Sequence, residues 1–178
     1  MAPPLIFVVV LSMIKDAYED YKRHKEDHSE NNAMTELYEK ETRKFVPTQW
    51  RNVKVGDVVK VKEREFFPAD LIILSSTEPE GMFYVETKNL DGETNLKLKG
   101  VQKDLVDYFS NEDFDTNLHG QINIEEPNNR IYKFDGNFDY HSNLIPLSND
   151  CVALRGMSLR NTEHVTGVVV YTGHDSKI

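Results

Sequence analysis

The sequence predicts a mainly β domain of the sandwich or distorted-barrel kind, entered through a helical stalk. Three observations predict it. Apolar runs of four to seven residues recur between turn-forming residues. Apolar and polar residues alternate at Val53, Val55, Val59 and Val61. The apolar spacing also changes near Trp50, from helical before it to alternating after it. At 178 residues the chain is long enough for one compact domain with its own core.

The elements follow in order. Residues 5–14 (LIFVVVLSMI) are apolar except for Ser12. About 20 apolar residues are needed to span a bilayer, so the run is too short alone. It fits a buried strand or helix, or the cut end of a membrane helix, since Lys15, Lys22, Arg23 and Lys25 follow it. A signal-peptide core lacks the preceding positive charge and the small-residue cleavage site. Ile14, Ala17, Tyr18 and Tyr21 share one helical face, and Glu19 and Arg23 are spaced as a helix pair. The charged stretch from 24 to 42 reads as the helix running out into a solvated linker, and Pro47 opens the next unit.

Strands are then expected around 53–61, at 71–74 after Pro68, and at 82–85 after Pro79 and Gly81. Residues 101–109 suit a short helix with Leu105, Val106 and Phe109 on one side. Ile122 and Ile124 alternate, a turn follows at 126–129, and Ile131, Tyr132 and Phe134 suggest the partner strand. Residues 151–154 and 165–171 read as two more buried strands. The expected organisation is a stalk at 1–28, a charged linker at 29–46 and one β domain at 47–178.

Thirty acidic against twenty-one basic residues give a net charge of −9, which argues against nucleic acid as a partner. The single cysteine, Cys151, lies in an apolar run and reads as a small core residue. One thiol and no Asn-x-Ser/Thr acceptor suit a reducing compartment.

The most informative segment is VETKNLDGETNLK at 85–97. Asp91-Gly92 is a turn pair, because Gly accepts positive φ and Asp can bond its own backbone. The turn would hold Glu93 and Thr94 at an exposed tip, where a carboxylate can orient a water and a hydroxyl can bond the same water. An ordinary polar hairpin turn fits those residues equally well. The segment resembles the signature loop of the type IV P-type ATPases, the phospholipid flippases. Further stretches are similar in the same order: VKVGDVVKVKE at 53–63, FPADLIILSSTEPEG at 67–81, LRGMSLRNT at 154–162 and VVVYTGHDSKI at 168–178. MIKDAYEDYKRHKED at 13–27 is similar to the cytosolic end of the family's second membrane helix. The likeness covers nearly the whole chain and is weakest over 101–118, which looks like a variable excursion.

The resemblance implies an actuator domain with a distorted jelly-roll fold, on the cytosolic face of a membrane. In that family an aspartate in a separate phosphorylation domain is phosphorylated from ATP, and the actuator loop swings over the aspartyl phosphate. By likeness Glu93 activates the hydrolytic water, Gly92 lets the backbone approach, Thr94 assists, and Asp91 marks the lipid-transporting class with an electrostatic role. Asp91 stands where cation-pumping relatives usually carry Thr. Pro68-Ala69-Asp70 matches another P-type pattern, for which a structural role is expected. The implied partners are the phosphorylation domain of the same protein, membrane phospholipid and an accessory membrane subunit. No cofactor is expected in this segment; ATP and magnesium would belong to the whole enzyme.

Weaker signals are His24 and His28, four apart as in a zinc pair but without a third ligand, and Arg155 and Arg160 around Gly156. The two arginines could touch phosphate on another domain or pair with surface carboxylates. The sequence holds no Asp-Lys-Thr-Gly motif and no Gly-rich phosphate cradle, so this segment alone is expected neither to hydrolyse ATP nor to move lipid. The rival readings are the actuator of an ion pump and a non-enzymatic β-sandwich that binds a protein.

Overall fold

A computed structural model describes residues 3–109, 114, 120–140 and 143–177. Helix α1 runs Pro3–Asn31. Strands β1 (Met34–Glu39), β2 (Lys44–Gln49), β3 (Val58–Lys62), β4 (Asp70–Ser76) and β5 (Met82–Glu86) follow, then a single helical turn, α2 (Lys88–Asp91). Next come β6 (Leu96–Gly100), α3 (Lys103–Phe109), β7 (Gly120–Ile124), β8 (Gly136–Tyr140) and β9 (Asn143–Leu147). The chain closes with β10 (Val152–Ala153), β11 (Ser158–Arg160) and β12 (His164–Tyr171).

Among the described residues the fold is mainly β, as expected, with three antiparallel sheets and no closed barrel. The largest has six strands in the order β10-β4-β12-β3-β1-β2. The others have three strands each, β11-β5-β6 and β7-β8-β9. Strands β4 and β12 lie side by side and are buried along most of their length, so both read as nearly unbroken apolar runs. Gly167 permits their close approach, since a Cβ there would sit 2.7 Å from the Ile72 carbonyl oxygen. One continuous core runs through Phe67, Ile72, Phe83, Val85, Phe138, Leu159 and Val169.

Residues 29–46 do not run as a linker. Helix α1 extends to Asn31, and β1 and β2 form a hairpin that pairs onto β3. Tyr38 and Phe45 meet edge to face at 5.3 Å, and both rings contact Phe114. The partner of β7 is β8, so Ile131, Tyr132 and Phe134 lie in the connection rather than in the expected strand. The short helix expected at 101–109 is α3, with Leu105 and Phe109 buried. The variable excursion expected over 101–118 falls partly outside the described residues.

Every described side chain of α1 from Ile6 on is exposed. Among the described residues no helix is long and apolar enough to cross a membrane. The base of α1 is held at the body by Arg155 to Glu30 (3.2 Å), Gln49 to Asn32 (3.3 Å) and the Trp50 N–H to the Ala33 carbonyl (2.9 Å).

Asp70 opens β4 with a fully buried carboxylate. Its two oxygens accept from the backbone N–H groups of Arg155 and Lys177, each at 2.8 Å. Burial still outweighs these bonds and raises its pKa. The carboxylate joins the start of β4 to two later chain segments, which fits the structural role expected for it.

Candidate functional site

The loop expected to carry chemistry connects β5 to β6, the two strands whose ends pair at Glu86 and Leu96. The connection is held in three places. Leu90 of α2 packs against the core and approaches the loop at Gly156, where a Cβ would lie 3.6 Å from its Cδ2. Gly92 ends α2 at φ 76°, a left-handed conformation that glycine adopts without the strain a Cβ would bring. A Cβ at Gly92 would meet nothing within 4 Å, so the backbone angle sets the need for glycine there.

The third hold is the Asp91 carboxylate. Oδ1 accepts from the Thr87 hydroxyl (2.9 Å) and the Glu93 N–H (3.0 Å). Oδ2 accepts from the Lys97 ammonium (2.6 Å), the Tyr132 hydroxyl (3.1 Å) and again Thr87 (3.1 Å). The Lys97 ammonium, followed by the Glu93 N–H, holds the Asp91 carboxyl well below the usual carboxylate range. The same contact raises the pKa of Lys97, and the bond to Asp91 raises that of Tyr132.

Glu93 stands differently. Its Oε2 meets Lys97 at 2.9 Å and its side chain is 56% exposed, against 12% for Asp91. Thr94 beside it is exposed. Two carboxylates two residues apart are therefore separated by environment. Asp91 has its oxygens filled by donors and braces the turn; Glu93 faces outward on that braced turn, where it can accept a proton or orient a water.

The loop thus brings Asp91, Gly92, Glu93 and Thr94 together at one tip. Sequence reasoning missed Thr87, Lys97 and Tyr132. Thr87 and Lys97 lie four residues before Asp91 and four after Glu93, a spacing that could have found them. Tyr132 arrives from the β7–β8 connection, and nothing in the sequence links it to Asp91.

The remaining candidates resolve into ordinary contacts. Arg155 pairs with Glu30 at 3.2 Å, and Arg160 grips Glu86 through Nε and Nη2 at 2.9 and 2.7 Å. His24 and His28 lie exposed on α1, and among the described residues no group of three His, Cys, Asp or Glu side chains could hold a metal ion. Cys151 is buried, and burial raises its thiol pKa.

No family model matches the chain. Curated proteins do match it along its length. A probable phospholipid-transporting ATPase 4 of Arabidopsis thaliana is 47% identical over 181 residues, covering 100% of this chain and 14% of that protein. Phospholipid-transporting ATPase DRS2 of Saccharomyces cerevisiae is 41% identical over 174 residues, covering 98% of this chain and 13% of that protein. Phospholipid-transporting ATPase C887.12 of Schizosaccharomyces pombe is 44% identical over 177 residues, covering 98% and 14%. The chain therefore spans about one seventh of the length of the curated relatives it matches. With 41–47% identity over 98–100% of its length, this chain belongs, as a segment, to the type IV P-type ATPases, the phospholipid-transporting family.

Proposed function

We propose that the segment is the actuator of an ATP-driven phospholipid translocase, and that Glu93 aligns and activates the water that hydrolyses an aspartyl phosphate on the phosphorylation domain of the same protein. The observation that carries this reading is the contrast between Asp91 and Glu93. An exposed carboxylate on a turn braced by Asp91 and Gly92 can be presented to another domain with its orientation already set. Thr94 offers a hydroxyl at the same tip. In this reading α1 is the arm toward the membrane, and the three sheets are the body that turns. ATP and magnesium belong to the other domains and the lipid to the membrane region, with an accessory membrane subunit as a further partner of the whole protein.

The test is the Glu93→Gln variant of the full-length protein, labelled with radioactive ATP and chased with unlabelled ATP. Gln keeps the size and removes the base. Phosphorylation should proceed, and the decay of the phosphoenzyme should slow by about 10²–10⁴, roughly 3–5 kcal/mol of barrier. Phospholipid should no longer accelerate it. Parental decay in Glu93→Gln would remove Glu93 from the chemistry and leave the turn a structural hairpin.

A further inference from the structure

Tyr132 is a large side chain left 66% exposed, outside any strand and remote in sequence from the turn it touches. Its hydroxyl lies 3.1 Å from Asp91 Oδ2, and the Lys97 ammonium lies 5.3 Å from its ring centroid. Lys97 is in turn the cation that bridges Asp91 (2.6 Å) and Glu93 (2.9 Å). Tyr132 therefore touches both halves of the clamp that sets the direction of Glu93: a hydrogen bond to the carboxylate and a π-face to the ammonium.

The connection that carries Tyr132 is itself anchored. The buried Lys177 ammonium donates to Glu125 Oε1 (2.8 Å), Asn128 Oδ1 (2.9 Å), the Lys133 carbonyl (3.0 Å) and the Arg130 carbonyl (3.4 Å). Phe134 is buried in the core, and the Tyr171 hydroxyl donates to the Glu125 carbonyl. Tyr132 thus reaches Asp91 from a fixed platform built by the last strand and the chain after it.

We propose that Tyr132 is a positioning residue for Glu93, acting through Asp91 and Lys97 from the β7–β8 connection. The inference rests on the role assigned to Glu93 above. Tyr132 contributes no proton to the reaction. Its hydroxyl keeps Asp91 in the rotamer that accepts the Glu93 N–H, and its ring keeps Lys97 between the two carboxylates. Displacing a positioned group slightly is enough to slow a reaction that depends on its alignment.

Tyr132→Phe deletes the hydroxyl and keeps the ring; Tyr132→Ala deletes both. In the full-length protein, Tyr132→Phe should slow phosphoenzyme decay about fivefold, the rate equivalent of one hydrogen bond. Tyr132→Ala should slow it further, and both should be phosphorylated to the parental level. The reading that separates positioning from a general structural effect is a double-mutant cycle. In an Asp91→Ala background Tyr132→Phe has no acceptor left to lose, so its fivefold effect should vanish. Deuterium exchange of the peptide covering 87–97 should also quicken in Tyr132→Phe, because the Glu93 N–H loses a steady acceptor. Parental decay and parental exchange in Tyr132→Phe, with Glu93→Gln stalled, would overturn this inference and leave the role of Glu93 intact. An undiminished slowing in the Asp91→Ala background would overturn it too. If the role of Glu93 is itself mistaken, the sign is a different one: Glu93→Gln then decays at the parental rate.

Discussion

Lysine 99 shows how much a single side chain can be bent by its place in a sheet. On β6 the apolar residues Leu96 and Leu98 face outward and Lys97 and Lys99 face inward, and Lys99 is only 7% exposed. Its ammonium donates to the Asn149 carbonyl at 2.6 Å. Burial pulls its pKa from 10.5 down to about 8. The sign of the consequence follows from proton counts. Between these two values the unfolded lysine still holds its proton while the folded one has released it, so stability rises with pH across that window and is lost as pH falls through about 8. The Lys99→Met change removes the titration at similar volume. The stability of the parent relative to this variant should therefore grow between pH 7 and pH 10.5, by on the order of 3 kcal/mol at most, in urea titrations at a series of pH values. A difference that does not change with pH would mean the ammonium stays hydrated. At this scale the sequence placed Asp91 to Thr94 on an exposed turn, and the structure has the chain turn there through the left-handed Gly92. The sequence did not show that Asp91 would be encircled by donors, because one of them, Tyr132, is 41 residues away.

At the scale of elements, legibility followed the agreement between side-chain pattern and burial. Strands β4, β5, β7 and β12 announce themselves by apolar runs or alternation, and the turn residues before β4 and β5 are Pro and Gly. Four of the missed strands, β1, β2, β6 and β9, carry a masking feature. The β1–β2 turn holds Arg43 at φ 55°, so a non-glycine residue does what a glycine would have signalled. Strand β6 is inverted, with lysines on the buried side. Strand β9 contains Pro146, which an edge strand tolerates and which the sequence alone counts against a strand. The hairpin also moves the place where the chain can be cut. A linker at 29–46 would allow trimming up to Phe45; with β1 paired to both β2 and β3, that cut leaves β2 without a partner and opens the edge of β3. A chain beginning at Ala33 should melt cooperatively near the parental temperature. One beginning at Phe45 should lose roughly 2–4 kcal/mol, a fall of about 5–15 °C, or melt without a sharp transition. Equal melting of the two shortened chains would make β1 dispensable.

Across the whole molecule, the segment corresponds to only 13–14% of its relatives, and its sequence has no phosphate cradle. Titration calorimetry of the chain with ATP and magnesium should accordingly show no saturable heat, and micromolar binding with a defined stoichiometry would demand a different division of labour. The attachment of α1 has a mechanical meaning as well. Its 29 residues make a rod about 43 Å long, tied to the body at its base. One of the contacts there, Arg155, also gives its backbone N–H to buried Asp70, so the pivot is tied to the start of β4 in the large sheet. A rod mounted this way works as a lever with a long arm. A tilt of about 10° at the base carries its far end sideways by roughly 7 Å, nearly the spacing between two packed helices. Small turns of the body would thus arrive at the tip as displacements on the scale of a whole helix.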